Sequence, residues 1–233
     1  MPALNEEGNI QQAINAVTSA AGELFVDYEL IVVDDGSSDR TAAIAQDNAR
    51  ENGRIRLLSH PSPRGFGASY NTGRLAATKT HCIMVQGDSP FDAQQLRHFL
   101  RHAGEADVIC GYIANPDFRG MHRQVISRIY TQLLNVLFRM RLQYFNGPQL
   151  HRTEWLRALD LSNHGYGFQA EVLMKALKSG KSFKEIPIRY TERPGGGVTK
   201  IFGLSNVVSV MRSLIVLWFW NLQFGGHAAE RVE

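Results

Sequence analysis

Four short apolar runs, residues 29–35 (ELIVVDD), 55–59 (IRLLS), 81–88 (HCIMVQGD) and 107–112 (DVICGY), alternate with segments of helical spacing at 10–24, 41–52, 68–77 and 94–102. Strand and helix signals that alternate in this way predict a parallel sheet covered by helices, and runs such as ELIVV and CIMV suit strands buried on both faces. The predicted fold class is therefore α/β. At 233 residues, 44% of them apolar and 20% charged, the chain is long enough for a domain with a real core.

The second half reads differently. Across 125–138 apolar residues recur at helical spacing, with Arg128, Gln132, Asn135 and Arg139 on the opposite edge, which predicts an amphipathic helix. A strand-like run at 183–190 (FKEIPIRY) precedes a glycine-rich loop at 193–200 (RPGGGVTK). The stretch 204–224 is the most hydrophobic, and its fully apolar part, 214–220 (LIVLWFW), is far shorter than the roughly 20 residues of a membrane span. With Trp218, Trp220 and Arg212 it suits a helix in the headgroup region, or a buried core helix. The expected division is a domain over 1–203, an amphipathic membrane- or partner-facing helix over 204–224 and a tail over 225–233.

Charge narrows the function classes. A net charge of +3 is too mild to argue for nucleic acid. Arg119, Arg123, Arg128, Arg139 and Arg141 crowd a stretch without an acid, suited to phosphates or an anionic membrane, or simply to a solvated helix face. Cys82 and Cys110 lie in apolar runs and read as buried, reduced thiols. His122, His151 and His164 lack metal-ligand spacing and read as structural or solvent-facing. No GxGxxG follows a strand, which disfavours a dinucleotide-dependent oxidoreductase, and no secretory signal is visible, which favours the cytoplasm.

Ligands in open α/β sheets bind outside the carboxyl ends of the strands, where Asp34, Asp35 and Asp88 fall. In 34–39 (DDGSSD), Gly and Ser form a turn and Ser38 or Asp39 can cap the next helix. A carboxylate there can accept hydrogen bonds from a base or ribose. The same residues also make a strand-turn-helix cap without any ligand.

PALNEE at 2–7, VVDDGSSDRT at 32–41, PRGFGASYNTG at 63–73 and an apolar run ending in Gly87-Asp88 together resemble a family 2 glycosyltransferase of the GT-A fold. Later segments (FNGPQLHR, GYGFQAEVLMKAL, EIPIRYTERPGGGVTK) are most similar to the dolichol-phosphate mannosyltransferase-like branch, whose members move a sugar from a nucleoside diphosphate to a polyprenyl phosphate. The resemblance implies a Rossmann-like, mostly parallel sheet flanked by helices, with amphipathic C-terminal helices. It places Pro2, Ala3, Asn5, Glu6 and Asp34 in the nucleotide cleft and Asp35 on the base or ribose. Arg64, Gly65 and Gly67 match the Arg-Gly-x-Gly turn, where a cation beside a helix N-terminus suits a diphosphate or ribose. Gln86, Gly87 and Asp88 occupy the Asp-x-Asp position, Asp88 holding Mg2+ or Mn2+. Arg123, Arg193 and Lys200 would grip the phosphates catalytically, the glycine-rich loop acting as a lid, and Asn146 and Gly147 would lie under the sugar. Because a polyprenyl phosphate is already anionic, no general base is required.

Two departures from the family stand out. Gln86 replaces the first acid, which implies a weaker or differently built metal site, completed by Asp92, the acceptor phosphate or the arginines. The family has an apolar strand immediately upstream of Pro2, so a shortened chain lacking its central first strand is expected. The implied partners are a nucleotide sugar, a polyprenyl phosphate and a membrane surface or membrane protein, but no nucleic acid. The implied location is cytoplasmic, peripheral to the inner face of a membrane. A glycan or lipid hydroxyl acceptor and a catalytically silent nucleotide-sugar-binding protein are the alternatives.

Overall fold

A computed structural model describes residues 1–88, 91–115, 121–161, 167–190 and 218–219, leaving aside the side chains at 122 and 123. The order is β1 (Pro2–Ala3), α1 (Ile10–Leu24), β2 (Leu30–Asp34), α2 (Thr41–Glu51), β3 (Ile55–Ser59), α3 (Phe66–Ala76) and β4 (His81–Ile83), followed by α4 (Ala93–Leu100) and β5 (Val108–Ile113). After these come α5 (Met121–Phe138), β6 (Gln149–Arg152), α6 (Thr153–Ala158), α7 (Phe168–Lys178) and β7 (Phe183–Ile188). One sheet is β1-β2-β3, all parallel; the other is β4-β6-β5-β7, in which β7 runs parallel to β5 and β6 runs against both neighbours.

The alternation read from the sequence is present, and β2 is covered on both faces, whereas β4, expected to be buried, is only half-buried. On β2, Leu30 and Val32 join the core cluster of α1 and α4, while Ile31 and Val33 turn to a cluster with Ala77 behind α3. Helix α1 buries Ile10, Ala13 and Ile14 at the three-to-four spacing of an amphipathic helix. Helix α7 is buried from Phe168 to Ala176, so the charges it carries must be satisfied locally. Glu171 and Lys175 pair at 2.7 Å, and Lys175 also donates to the Asp160 carbonyl. The short α6 ends against a buried cation: Arg74 of α3 donates to the carbonyls of Leu156, Arg157 and Leu159.

Two expectations change. The third apolar run leaves its ladder at Ile83, not Asp88, because the chain turns away from β6 toward β1, where the Gly87 amide donates to the Pro2 carbonyl at 2.9 Å. The expected lack of a central strand is corrected in part. Pro2 and Ala3 form a short strand at the edge of the parallel sheet, with the Met1 amine on the Ile31 carbonyl (2.6 Å), the Val33 amide on the Met1 carbonyl (2.8 Å) and the Asp35 amide on the Ala3 carbonyl (2.9 Å). On the amino side of Met1, a cavity of about 510 Å³ separates β2 from β4. Among the described residues no helix is long and apolar enough to cross a membrane. The stretch 204–224, expected to be an amphipathic helix, lies outside them apart from Trp218 and Phe219.

His151 of β6 is 1% exposed, its ring stacked on Trp155, and burial pushes its pKa down to about 3. The unfolded chain therefore binds a proton below about pH 6.5 that the folded protein refuses. Stability from this group is intact above that pH and lost as pH falls toward 3, by up to about 1.4 kcal/mol per pH unit. Urea unfolding of His151→Leu is expected to lose that slope relative to wild type between about pH 6.5 and 4.5. Parallel pH profiles for the two proteins would acquit the histidine.

Candidate active site

At the carboxyl end of β1 and β2 two loops interlock. Asn5 sits in the left-handed region at φ 54°, and its side-chain oxygen accepts the Ser38 amide (2.9 Å) while its own amide donates to the Ser37 hydroxyl (3.0 Å). The Glu6 amide donates to the Thr41 hydroxyl (2.7 Å), and the Glu7 amide donates to Asp39. The PALNEE motif is thus tied to DDGSSD by its own polar groups, and Pro2 and Ala3 form β1 between them and the core. Asp34 is buried, with both oxygens facing the Ser37 amide at 3.3 and 3.4 Å, which closes the turn.

Asp35 is buried one residue further on. Its Oδ1 lies 2.6 Å from His60 Nδ1 and accepts the Arg64 amide (3.0 Å), while Oδ2 accepts the Gly65 amide (2.8 Å). Gly65 is the N-cap of α3 at φ 99°, a conformation that side chains rarely adopt. Burial alone would raise the Asp35 carboxyl pKa, but hydrogen bonds from His60, Arg64, Gly65 and Ser69 outweigh it and hold the group below the ordinary carboxylate value. The α3 N-terminus, which the sequence offered to a diphosphate or ribose, already faces an ionised carboxylate. A second anion there would meet like charge, so the neutral ribose is the better occupant, with the exposed Arg64 side chain free to turn toward phosphate.

Asp35 and Gly87 flank the same end of β1, through Ala3 and Pro2. That arrangement gathers Pro2, Ala3, Asp34, Asp35, Arg64, Gly65, Gly87 and the half-buried Gln86 and Asp88 at one edge of the sheets, with Gly67 buried in α3 behind. Asp92 is occupied as the N-cap of α4, accepting the Gln95 amide at 2.7 Å. Among the described residues no group of three His, Cys, Asp or Glu could hold a metal ion.

Asn146 and Gly147 lie in the segment that leads into β6. Gly147 packs backbone to backbone on Gly111 of β5, and the buried Asn146 Oδ1 has no hydrogen-bond partner. Arg193 and Lys200 lie outside the described residues, as does the side chain of Arg123. Sequence reasoning missed His60 and Thr72, whose hydroxyl lies 2.9 Å from His60 Nε2. The available signal was a histidine directly ahead of the PSPRG turn.

Strand-end acids around a parallel three-stranded unit, joined to a mixed sheet and covered by helices, define a GT-A-like α/β domain. Residues 1–173 match Glycosyl transferase family 2. The chain belongs to that family and is a glycosyltransferase. It is 26% identical over 207 residues to an undecaprenyl-phosphate mannosyltransferase of Micrococcus luteus, covering 84% of each chain. With a polyprenol monophosphomannose synthase of Mycolicibacterium smegmatis it shares 27% over 224 residues, 91% of this chain and 82% of that one. With a low-salt glycan biosynthesis hexosyltransferase of Haloferax volcanii it shares 30% over 203 residues, 84% of this chain, and spans only 48% of that relative's length. Among solved structures, glucosyl-3-phosphoglycerate synthase of Mycobacterium tuberculosis, crystallised with Mn2+, uridine diphosphate and phosphoglyceric acid, superposes with a TM-score of 0.72 at 20% identity, over 93% of this chain and 76% of that one. At that identity the likeness concerns the fold.

Proposed function

We propose that the protein transfers a sugar from a UDP- or GDP-sugar to a polyprenyl phosphate, with inversion, at the inner face of a membrane to which it binds peripherally. The convergence of Asp35 and the Gly87-Asp88 segment on the end of β1 carries this reading, since it builds one strand-end cleft from separate loops. Two relatives named for polyprenyl-phosphate mannosyl transfer support the acceptor. So does α5, where Met121, Val125, Ile129, Leu133 and Val136 form an exposed apolar stripe suited to a lipid chain or membrane surface.

Asp35 receives the base or ribose, and Arg64 balances charge nearby. Asp88, with the Gln86 amide oxygen, fits a divalent ion of the Mg2+ type, which needs only one or two carboxylates when substrate phosphates and water complete its shell. Such an ion, held by Asp88, would neutralise charge on the departing nucleoside diphosphate. Arg123, Arg193 and Lys200 hold donor and acceptor phosphates, and Asn146 and Gly147 border the sugar. The acceptor phosphate is itself the nucleophile, so the residues orient it in line with the anomeric carbon and need abstract no proton.

The test supplies UDP-glucose, UDP-N-acetylglucosamine and GDP-mannose in parallel to undecaprenyl phosphate and to undecaprenol. Nucleoside diphosphate release with the phosphate alone is expected, and chelation with EDTA should slow it. Turnover with the alcohol, or nucleotide binding without turnover, would refute the reading.

A further inference from the structure

The reading above gives His60 no task, yet Asp35 depends on it. The side chain is only 6% exposed and bridges Asp35 Oδ1 (2.6 Å) to Thr72 Oγ1 (2.9 Å). A carboxylate only accepts, so Nδ1 carries the hydrogen, and in the neutral ring Nε2 accepts from the Thr72 hydroxyl. Thr72 belongs to α3, whose first turn Asp35 also faces, so the imidazole ties the end of β2, the 60–65 turn and the body of α3 together. The His60, Arg64 and Gly65 donors, with the Ser69 hydroxyl, surround the Asp35 carboxylate and fix its orientation. The way a ligand meets Asp35 is set by how those donors hold the group.

We propose that His60 is a positioning residue of the donor site: clamped between Asp35 and Thr72, it holds the Asp35 carboxylate, and with it the Arg64–Gly65 turn, in the orientation that meets the nucleoside of the donor. The inference rests on the nucleotide-sugar reading. A group that only preorganises donor binding acts on donor KM and leaves kcat nearly unchanged.

Wild type, His60→Leu, His60→Asn and Thr72→Val are compared by UDP and GDP calorimetry, by donor KM and kcat with UDP-glucose and GDP-mannose on undecaprenyl phosphate, and by Tm. His60→Leu is expected to raise donor KM about tenfold, the weight of one charge-assisted hydrogen bond, with kcat within about threefold. His60→Asn, whose amide N–H stands in for Nδ1, should return KM to within about threefold of wild type. Thr72→Val should raise it about two- to threefold, and this arm decides the matter if His60→Leu does not fold. An unchanged donor KM in His60→Leu, or in Thr72→Val when it decides, overturns the proposal, even if Tm drops. So does a loss confined to kcat, or an asparagine variant as impaired as leucine. If wild type binds neither nucleotide, the nucleotide-sugar reading itself fails; if it binds and the variants bind equally, only the role of His60 fails.

Discussion

Gly147→Ala is expected to cost roughly 3 kcal/mol of folding stability, the top of the usual range for overpacking. An ideal Cβ at this position would stand 1.8 Å from the Gly111 carbonyl oxygen and 2.8 Å from its carbon. Both are backbone atoms of β5, held there by the Gly111 amide on the Pro148 carbonyl at 2.8 Å, so no side-chain rotation relieves the clash. The strand or the 144–148 segment must move, and with it Gln169, whose side chain donates to the Gly147 carbonyl. Thermal unfolding should fall by about 10 °C, at roughly 2–4 °C per kcal/mol for a chain of this size, and urea midpoints should fall with an unchanged m-value. A variant melting with wild type would mean that the backbone contact is not as drawn. Gly111→Ala should cost somewhat less, because its nearest neighbours are side-chain atoms, the Pro148 ring at 2.6 Å and Ile188 Cδ1 at 2.9 Å, rather than a main-chain atom at 1.8 Å.

Asp88→Ala is expected to lower turnover about 10²- to 10³-fold, the range for removing one principal electrostatic group from a reacting centre, while leaving Tm nearly unchanged. The residue is half-buried in the segment that follows β4, outside the strand ladders, so the fold should tolerate the change. Gln86→Asp makes the opposite perturbation. Adding the missing carboxylate should lower the Mn2+ concentration for half-maximal activity about tenfold, because ligand charge tunes the affinity of hard cations. Full activity in Asp88→Ala would remove this residue from the site, and unchanged Mn2+ activation in Gln86→Asp would remove Gln86.

Much of the frame was legible because it depends on neighbours in sequence. Helix α1 and strand β3 fall on the predicted bounds, and β2, α2 and α4 lie within a residue or two, since their patterns at periods 3.6 and 2 reflect which faces are buried. Helix α5 begins at Met121, earlier than the predicted 125; Met121 and Val125 lie on its exposed apolar stripe, while Leu134 and Phe138 carry its buried face. Strand β6 was not legible. Its four residues, QLHR, carry too short a pattern to announce a strand, still less one that runs against its neighbours. Helix α7 was marked only by resemblance, since burial on every side erases the amphipathic period.

The sequence by itself determined that Asp34 and Asp35 close a buried strand within a glycosyltransferase-like order of motifs, because strand pattern and motif spacing are local properties. Only the tertiary structure decided what those acids touch. Asp35 meets His60 across 25 positions of chain, and Gly87 reaches back to Pro2, contacts that hydrogen-bond satisfaction in three dimensions selects and that no local pattern encodes.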